Sequence, residues 1–225
     1  MTRGEGFELF GIGHLLALAT VAALIWGTAR LGRRQPRPWA AWLLAVGLLA
    51  QEAAKQVAFV ALLDQDWQRS LPLDLCRINE LLCVVMLLAR SYRAFEVAYF
   101  WSMAGSVTAM LTPALTAAFP HPLFVLFFLG HGLVVIAVAY AMTAYGFRPR
   151  RRSLPIALAV TAAYAVAIAP LNLLLDANYL FLRHKPPSPT LFDLFGPWPV
   201  YLPVLFAIAA LLCLLWWLPF AHRRN

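Results

Sequence analysis

Apolar stretches of about twenty residues alternate with short polar connections along the whole of this chain. Seven of them can be drawn, near Phe10–Ala29, Trp39–Leu62, Leu71–Ala89, Phe95–Ala118, Pro122–Tyr145, Leu154–Leu175 and Tyr201–Phe220. Each approaches the ~20 residues needed to cross a ~30 Å hydrocarbon core. The pattern predicts an all-α membrane protein: a seven-transmembrane helix bundle in a single integral domain over residues 1–225. One connection is long, residues 176–200. It contains KPPSP (Lys185–Pro189) and GPWP (Gly196–Pro199), so its backbone cannot be one regular helix. A loop of this kind either covers a site or rests as an aromatic strap at the membrane interface.

Composition supports the same class: 62% of residues are hydrophobic and 12% charged, against about a quarter charged in a soluble domain. A net charge of +8 would suggest nucleic acid in a soluble protein, but here the bases sit between apolar stretches. Arg30, Arg33, Arg34, Arg37, Arg90, Arg93, Arg148, Arg150, Arg151, Arg152, Arg223 and Arg224 make up twelve of the eighteen Lys and Arg, all on one expected side. Glu5, Glu8, Asp64, Asp66, Asp74, Asp176 and Asp193 fall on the other. The positive-inside rule then puts the amino terminus outside and the carboxyl terminus in the cytoplasm, which fits an odd number of crossings. Met1–Leu9 carries two acids and one arginine ahead of an apolar run too long for an h-region, so no cleavable signal peptide is expected. Cys76, Cys83 and Cys213 all lie in expected spans, which argues against a disulfide framework. The sequence shows no CxxC, HxxxH or HExxH spacing, no internal repeat and no nucleotide-binding motif, so neither a metal nor another cofactor is expected.

Ionisable groups inside a membrane are rare and mark function by default. The stretch Leu71–Glu80 (LPLDLCRINE) reads as a helix opened by a proline, with Cys76, Asn79, Glu80 and, one turn on, Cys83 within an arc of roughly 100°. At 1.5 Å per residue, His14, Gln51–Lys55, Cys76 and His131 all lie about 21–27 Å from the arginines of their own spans, in one layer of the outer half. A thiol becomes a useful acyl acceptor when a base removes its proton, so a Cys76–His131 pair is the smallest catalytic set in that layer. Asn79 or Lys55 would then stabilise the oxyanion. Glu52 and Lys55, spaced i, i+3, are also suited simply to neutralising each other. Gly130 and Gly132 flank His131 and admit close approach, and Ser102, Gly105, Ser106 and Ala109 read as a stripe for close helix packing.

The segment LPLDLC (Leu71–Cys76), the glycine-flanked His131, and NYLFLRHKP (Asn178–Pro186) with GPWPVY (Gly196–Tyr201) resemble the YwaF-like family of bacterial integral membrane proteins. That family's vertebrate relative, transmembrane protein one-six-four, is an acyltransferase acting on ether phospholipids through a cysteine and a histidine. The resemblance implies Cys76 and His131 as the catalytic residues of a phospholipid acyltransferase, transacylase or lipid hydrolase. It also implies a multi-pass protein of the bacterial cell membrane, with phospholipid or lysophospholipid as the partner. His14, Gln51, Glu52, Lys55 and Asn79 from the polar layer, with Asn178, Tyr179 and Arg183 from the loop, are the expected substrate-binding residues. The rival reading is a non-enzymatic binder or transporter, in which the same polar groups line a cavity for a solute or lipid head group.

Overall fold

The computed structural model describes residues 6–63, 66–186 and 191–221. Glu5, Asp64, Pro187–Pro189 of the KPPSP turn, Arg223 and Arg224 lie outside the described residues. In chain order the helices are α1 (Ile12–Arg34), α2 (Pro38–Leu63), a short α3 (Trp67–Ser70), α4 (Leu75–Leu88) and α5 (Tyr92–Phe100). The last of these runs through a π-helical segment, Trp101–Ser106, into α6 (Val107–Leu111). After them come α7 (Pro122–Ala144), α8 (Ser153–Leu174) and α9 (Tyr201–Trp217). The protein is thus all-helical, apart from one isolated bridge between Gly6 and Ala117 among the described residues.

Among the described residues, five helices, not seven, are long and apolar enough to cross a membrane on their own: α1, α2, α7, α8 and α9. The two exceptions have identifiable causes: one helix starts late after a proline, and the other is divided into α5, a π-helical segment and α6 before a second proline stops it. Pro72 does not open a helix. Leu71 before it is extended (φ −58°, ψ 150°), Asp74 is extended as well (φ −70°, ψ 149°), and helix begins only at Leu75. The carbonyls of Ser70 and Leu71 accept from the Arg77 guanidinium, that of Leu73 from the Tyr164 hydroxyl, and the Leu71 N–H donates to the Tyr179 hydroxyl. A backbone so engaged has no need of a helical ladder. The next expected span stops at Leu111 rather than Ala118, because Pro113 pushes Thr112 out of the helical region (φ −133°, ψ 65°). Helix starts and stops elsewhere follow local rules. The Ser91 hydroxyl caps α5 by accepting from the Ala94 N–H at 3.2 Å. Gly146, at φ +70°, closes α7 in the left-handed conformation that glycine adopts without strain.

Helix α7 is the axis of the bundle, packed against α1, α2, α4 and the α5–α6 stretch, with about half of its residues buried. Helices α1, α8 and α9 are mostly exposed and apolar, with Ile12, Leu16, Val166, Leu173 and Leu211 among the outward side chains. This surface suits acyl chains as solvent rather than water. The arginine-bearing connections share one end of the bundle. There the Tyr140 hydroxyl donates to the Arg37 carbonyl at 2.8 Å, Tyr145 to Leu87 at 2.8 Å and Tyr92 to Arg148 at 2.8 Å. The Trp217 indole donates to the Arg150 carbonyl at 3.1 Å. One residue of the Gly130-His131-Gly132 triplet sets a helix distance directly: a Cβ on Gly132 would lie 2.9 Å from Val21 Cγ2, so α1 and α7 meet there only because no side chain intervenes.

Candidate functional site

A cavity of about 1200 Å³ lies between α2, the start of α4, the α5–α6 stretch, α7, α8 and α9. Small-molecule pockets usually occupy about 300–1,000 Å³, so this one is large, and most of its wall is apolar. Leu126 and Phe127 of α7, Ala162 and Ala165 of α8, and Leu205 and Phe206 of α9 make much of that wall. Polar groups gather at one side, where Lys55, Asp74, Cys76, Arg77 and His131 all line it. Gly105 also lines it, and an added Cβ there would meet nothing within 4 Å. The stripe expected to pack closely therefore leaves open space at that position. The π-helical turn has a consequence of its own: its extra residue helps present Ser102 to the Asn79 amide at 2.9 Å and the Trp101 indole to the Thr161 hydroxyl at 2.8 Å.

Cys76 and His131 come from different helices and line this same cavity, both half-buried. No hydrogen bond joins them. His131 Nδ1 lies 2.8 Å from the Phe127 carbonyl one turn back, and its ring lies 4.3 Å from the Phe127 ring. A carbonyl only accepts, so Nδ1 carries the proton and Nε2 keeps the lone pair.

Next to them stands a buried network of two acids and two bases. Lys55 Nζ donates to Glu80 Oε1 at 2.7 Å and to Glu52 Oε2 at 3.4 Å. Arg77 Nε donates to Glu52 Oε1 at 2.8 Å, and one guanidinium nitrogen bonds both that oxygen and Gln56 Oε1, the latter at 2.7 Å. The formal charges of Glu52, Lys55, Arg77 and Glu80 sum to zero, which is the condition for keeping four ionised groups away from water. The i, i+3 neutralisation expected of Glu52 and Lys55 is present but is the longer contact; Glu80 is the nearer partner of Lys55. Among the described residues, no group of three or more His, Cys, Asp or Glu is placed to hold a metal ion.

Several expected binding residues are placed away from the cavity wall. His14 is fully buried, with Nδ1 accepting from the Phe10 N–H at 2.9 Å and Nε2 donating to the Met110 carbonyl at 2.8 Å. Both ring nitrogens are thus spent tying α1 to the end of α6. Gln51 donates to the Leu126 carbonyl at 3.0 Å and fills the space that Gly130 leaves, where a Cβ would stand 2.5 Å from its amide nitrogen. Asn79 is buried behind the wall, against Ser102. Asn178 folds its own loop, accepting from the N–H groups of Arg183 and His184 at 2.9 and 3.2 Å. Arg183 pairs with Asp176 at 2.9 Å. The Tyr179 hydroxyl donates to the Gln68 carbonyl at 2.6 Å.

What the loop motif delivers to the cavity is the segment between these residues, Leu180, Phe181 and Leu182. Leu180 and Phe181 have φ of 57° and 53°, a region disfavoured for side chains of that size, so something must hold them there. Buried Asn172 does so from α8, accepting from the Tyr179 N–H at 2.7 Å and donating to the Tyr179 carbonyl at 3.0 Å. Asn172→Ala is expected to destabilise the loop by about 1–3 kcal/mol, read as faster proteolysis within residues 179–186 while the helices stay protected.

Sequence reasoning missed two buried ions. Arg77 follows Cys76 directly but lies about 100° off the stripe that drew attention, and its presence in an apolar stretch was itself the signal. Glu96 of α5 is buried and accepts from the Ser153 hydroxyl at 2.6 Å, which anchors the start of α8.

Compared with known families, residues 9–218 match the family model described as the TMEM164 family, a match that carries the vertebrate relative's name and not the YwaF-like one. No curated protein and no solved structure matches the chain.

Proposed function

Because this chain belongs to the TMEM164 family, we propose that it is an intramembrane phospholipid acyltransferase or transacylase, acting as a lipid hydrolase when water is the acceptor. The observation that carries this reading is the shared cavity: a thiol and an imidazole with a free Nε2 on the wall of one large, mainly apolar space. In the first half-reaction His131 Nε2 takes the Cys76 proton while sulfur attacks the acyl carbon of a lipid ester. That attack forms the S–C bond of a tetrahedral adduct; its collapse re-forms the carbonyl and breaks the ester C–O bond, leaving the thioester, and His131 returns its proton to the departing alcohol oxygen. In the second, His131 deprotonates a lysolipid hydroxyl or water, which attacks the thioester carbon, and the released thiolate is reprotonated.

The same reading takes this as a multi-pass protein of the bacterial cell membrane with seven crossings, amino terminus outside. Helix α4 spans only about 21 Å, and this crossing is completed by the non-helical residues Leu71–Asp74, where the Leu73 N–H turns back to the Leu71 carbonyl at 2.8 Å. The twenty residues from Tyr92 to Leu111 reach about 30 Å.

Incubating the purified protein with 4-nitrophenyl laurate is expected to leave a hydroxylamine-sensitive lauroyl adduct on Cys76, located by peptide mass spectrometry. His131→Gln is expected to slow its formation by about 10²–10⁴-fold. A wild-type protein that binds phospholipid but never acquires the adduct would favour the binder.

A further inference from the structure

Of the two cations in the cavity wall, only one has a donor to spare. A guanidinium has five N–H groups, and those of Arg77 go to Glu52 twice, to Gln56, and to the carbonyls of Ser70 and Leu71. An ammonium has three, and Lys55 uses two, on Glu80 at 2.7 Å and Glu52 at 3.4 Å. Lys55 lines the cavity together with Cys76 and His131. Asn79, the other candidate donor of this layer, gives its amide to Ser102 at 2.9 Å and does not reach the wall.

We infer that Lys55 is a third catalytic residue, whose remaining N–H donates to the acyl carbonyl oxygen of the bound lipid as that oxygen becomes anionic. This rests on the Cys76–His131 reading and adds to it the group that receives the displaced electron pair. When sulfur bonds to the acyl carbon, the C=O π pair moves onto oxygen, and it returns to carbon when the alcohol leaves. Charge balance separates this role from that of a head-group ligand. The four-group network already sums to zero, and Asp74 adds a further carboxylate to the wall. A phosphate anion would therefore bring uncompensated negative charge into a buried site. A neutral ester carbonyl brings none, and its bond to the ammonium strengthens as the oxygen becomes anionic, which is the condition for raising rate rather than affinity. Glu80 and Glu52 hold the ammonium in place beforehand, so no reorganisation is needed at the moment of reaction.

The test uses full-length protein in nanodiscs, 4-nitrophenyl laurate as acyl donor and pyrene-labelled phosphatidylcholine as binding probe. The double variant Lys55→Met/Glu80→Gln removes one charge of each sign and leaves Glu52 and Arg77 balanced. Acylation of Cys76 is expected to fall by roughly 10²–10³-fold, with affinity for the pyrene lipid unchanged. Acylation at the wild-type rate overturns the inference. So does a fall matched by an equal loss of lipid affinity, which would make Lys55 a head-group ligand. Failure of wild-type protein to acylate at Cys76 would overturn the Cys76–His131 reading, and this inference with it. Should the double variant not fold, the wild-type acyl-enzyme decides. With a ¹³C-labelled acyl carbonyl, its infrared stretch is expected below that of the same thioester in an apolar solvent, and an unshifted band overturns the inference.

Discussion

Cys76→Ala is expected to abolish both the acyl adduct and acyl transfer while leaving the bundle folded. In the proposed mechanism the substitution removes the sulfur that holds the acyl group between the two half-reactions. Cys83 and Cys213 are buried and outside the cavity wall, so Cys83→Ala and Cys213→Ala should keep the adduct. Stability should change little, because the Cys76 side chain faces open volume rather than tight packing. Peptide mass spectrometry after incubation with the activated ester reads the first outcome, and lipid analysis of membranes carrying wild-type or variant protein reads the second. An undiminished adduct in Cys76→Ala would move the nucleophile elsewhere. Undiminished lipid turnover would point to chemistry without a covalent intermediate.

The helix count and the site were legible to different depths, for physical reasons. Long apolar runs write helices directly into sequence, and α1, α2, α7, α8 and α9 fall within a few residues of expectation. What apolarity does not write is where the backbone prefers a side-chain partner to its own ladder. Leu71–Asp74 is as apolar as a helix start, yet Arg77, Tyr164 and Tyr179 take up its polar groups from three different elements. Depth counting along helices put Cys76, Lys55 and His131 in one layer, because rise per residue is fixed, and all three line the same cavity. It could not say which way each side chain faces around the bundle, since that depends on neighbours. His14 and Gln51 share the layer but turn to backbone carbonyls, and Asn79 turns to Ser102. The loop motif misled differently. Its polar residues Asn178, Tyr179 and Arg183 stand out in sequence, but they serve to hold the apolar Leu180–Leu182 against the cavity.

Arg77→Met is expected to cost about 3–5 kcal/mol, the usual penalty for removing one partner from a buried ion pair. Methionine matches much of the apolar stem but supplies no donor. Glu52 would keep only the 3.4 Å contact with Lys55, and the three remaining ions would carry a net charge of −1 in a buried site. The bonds to Gln56 and to the Leu71 carbonyl would go as well, so the loss falls on both the α2–α4 contact and the non-helical approach to Cys76. Thermal unfolding in detergent, compared at matched lipid content, measures the effect; a midpoint equal to wild type would mean that the network does not hold α2 to α4. Adding Glu52→Gln restores charge neutrality and should recover part of the stability, since an intact pair and no pair cost less than half a pair. Acylation of Cys76 should recover less than stability does. Neutralising Glu52 cannot return the donor that Arg77 gives to the Leu71 carbonyl, five residues before the thiol, and that donor helps set where the thiol stands.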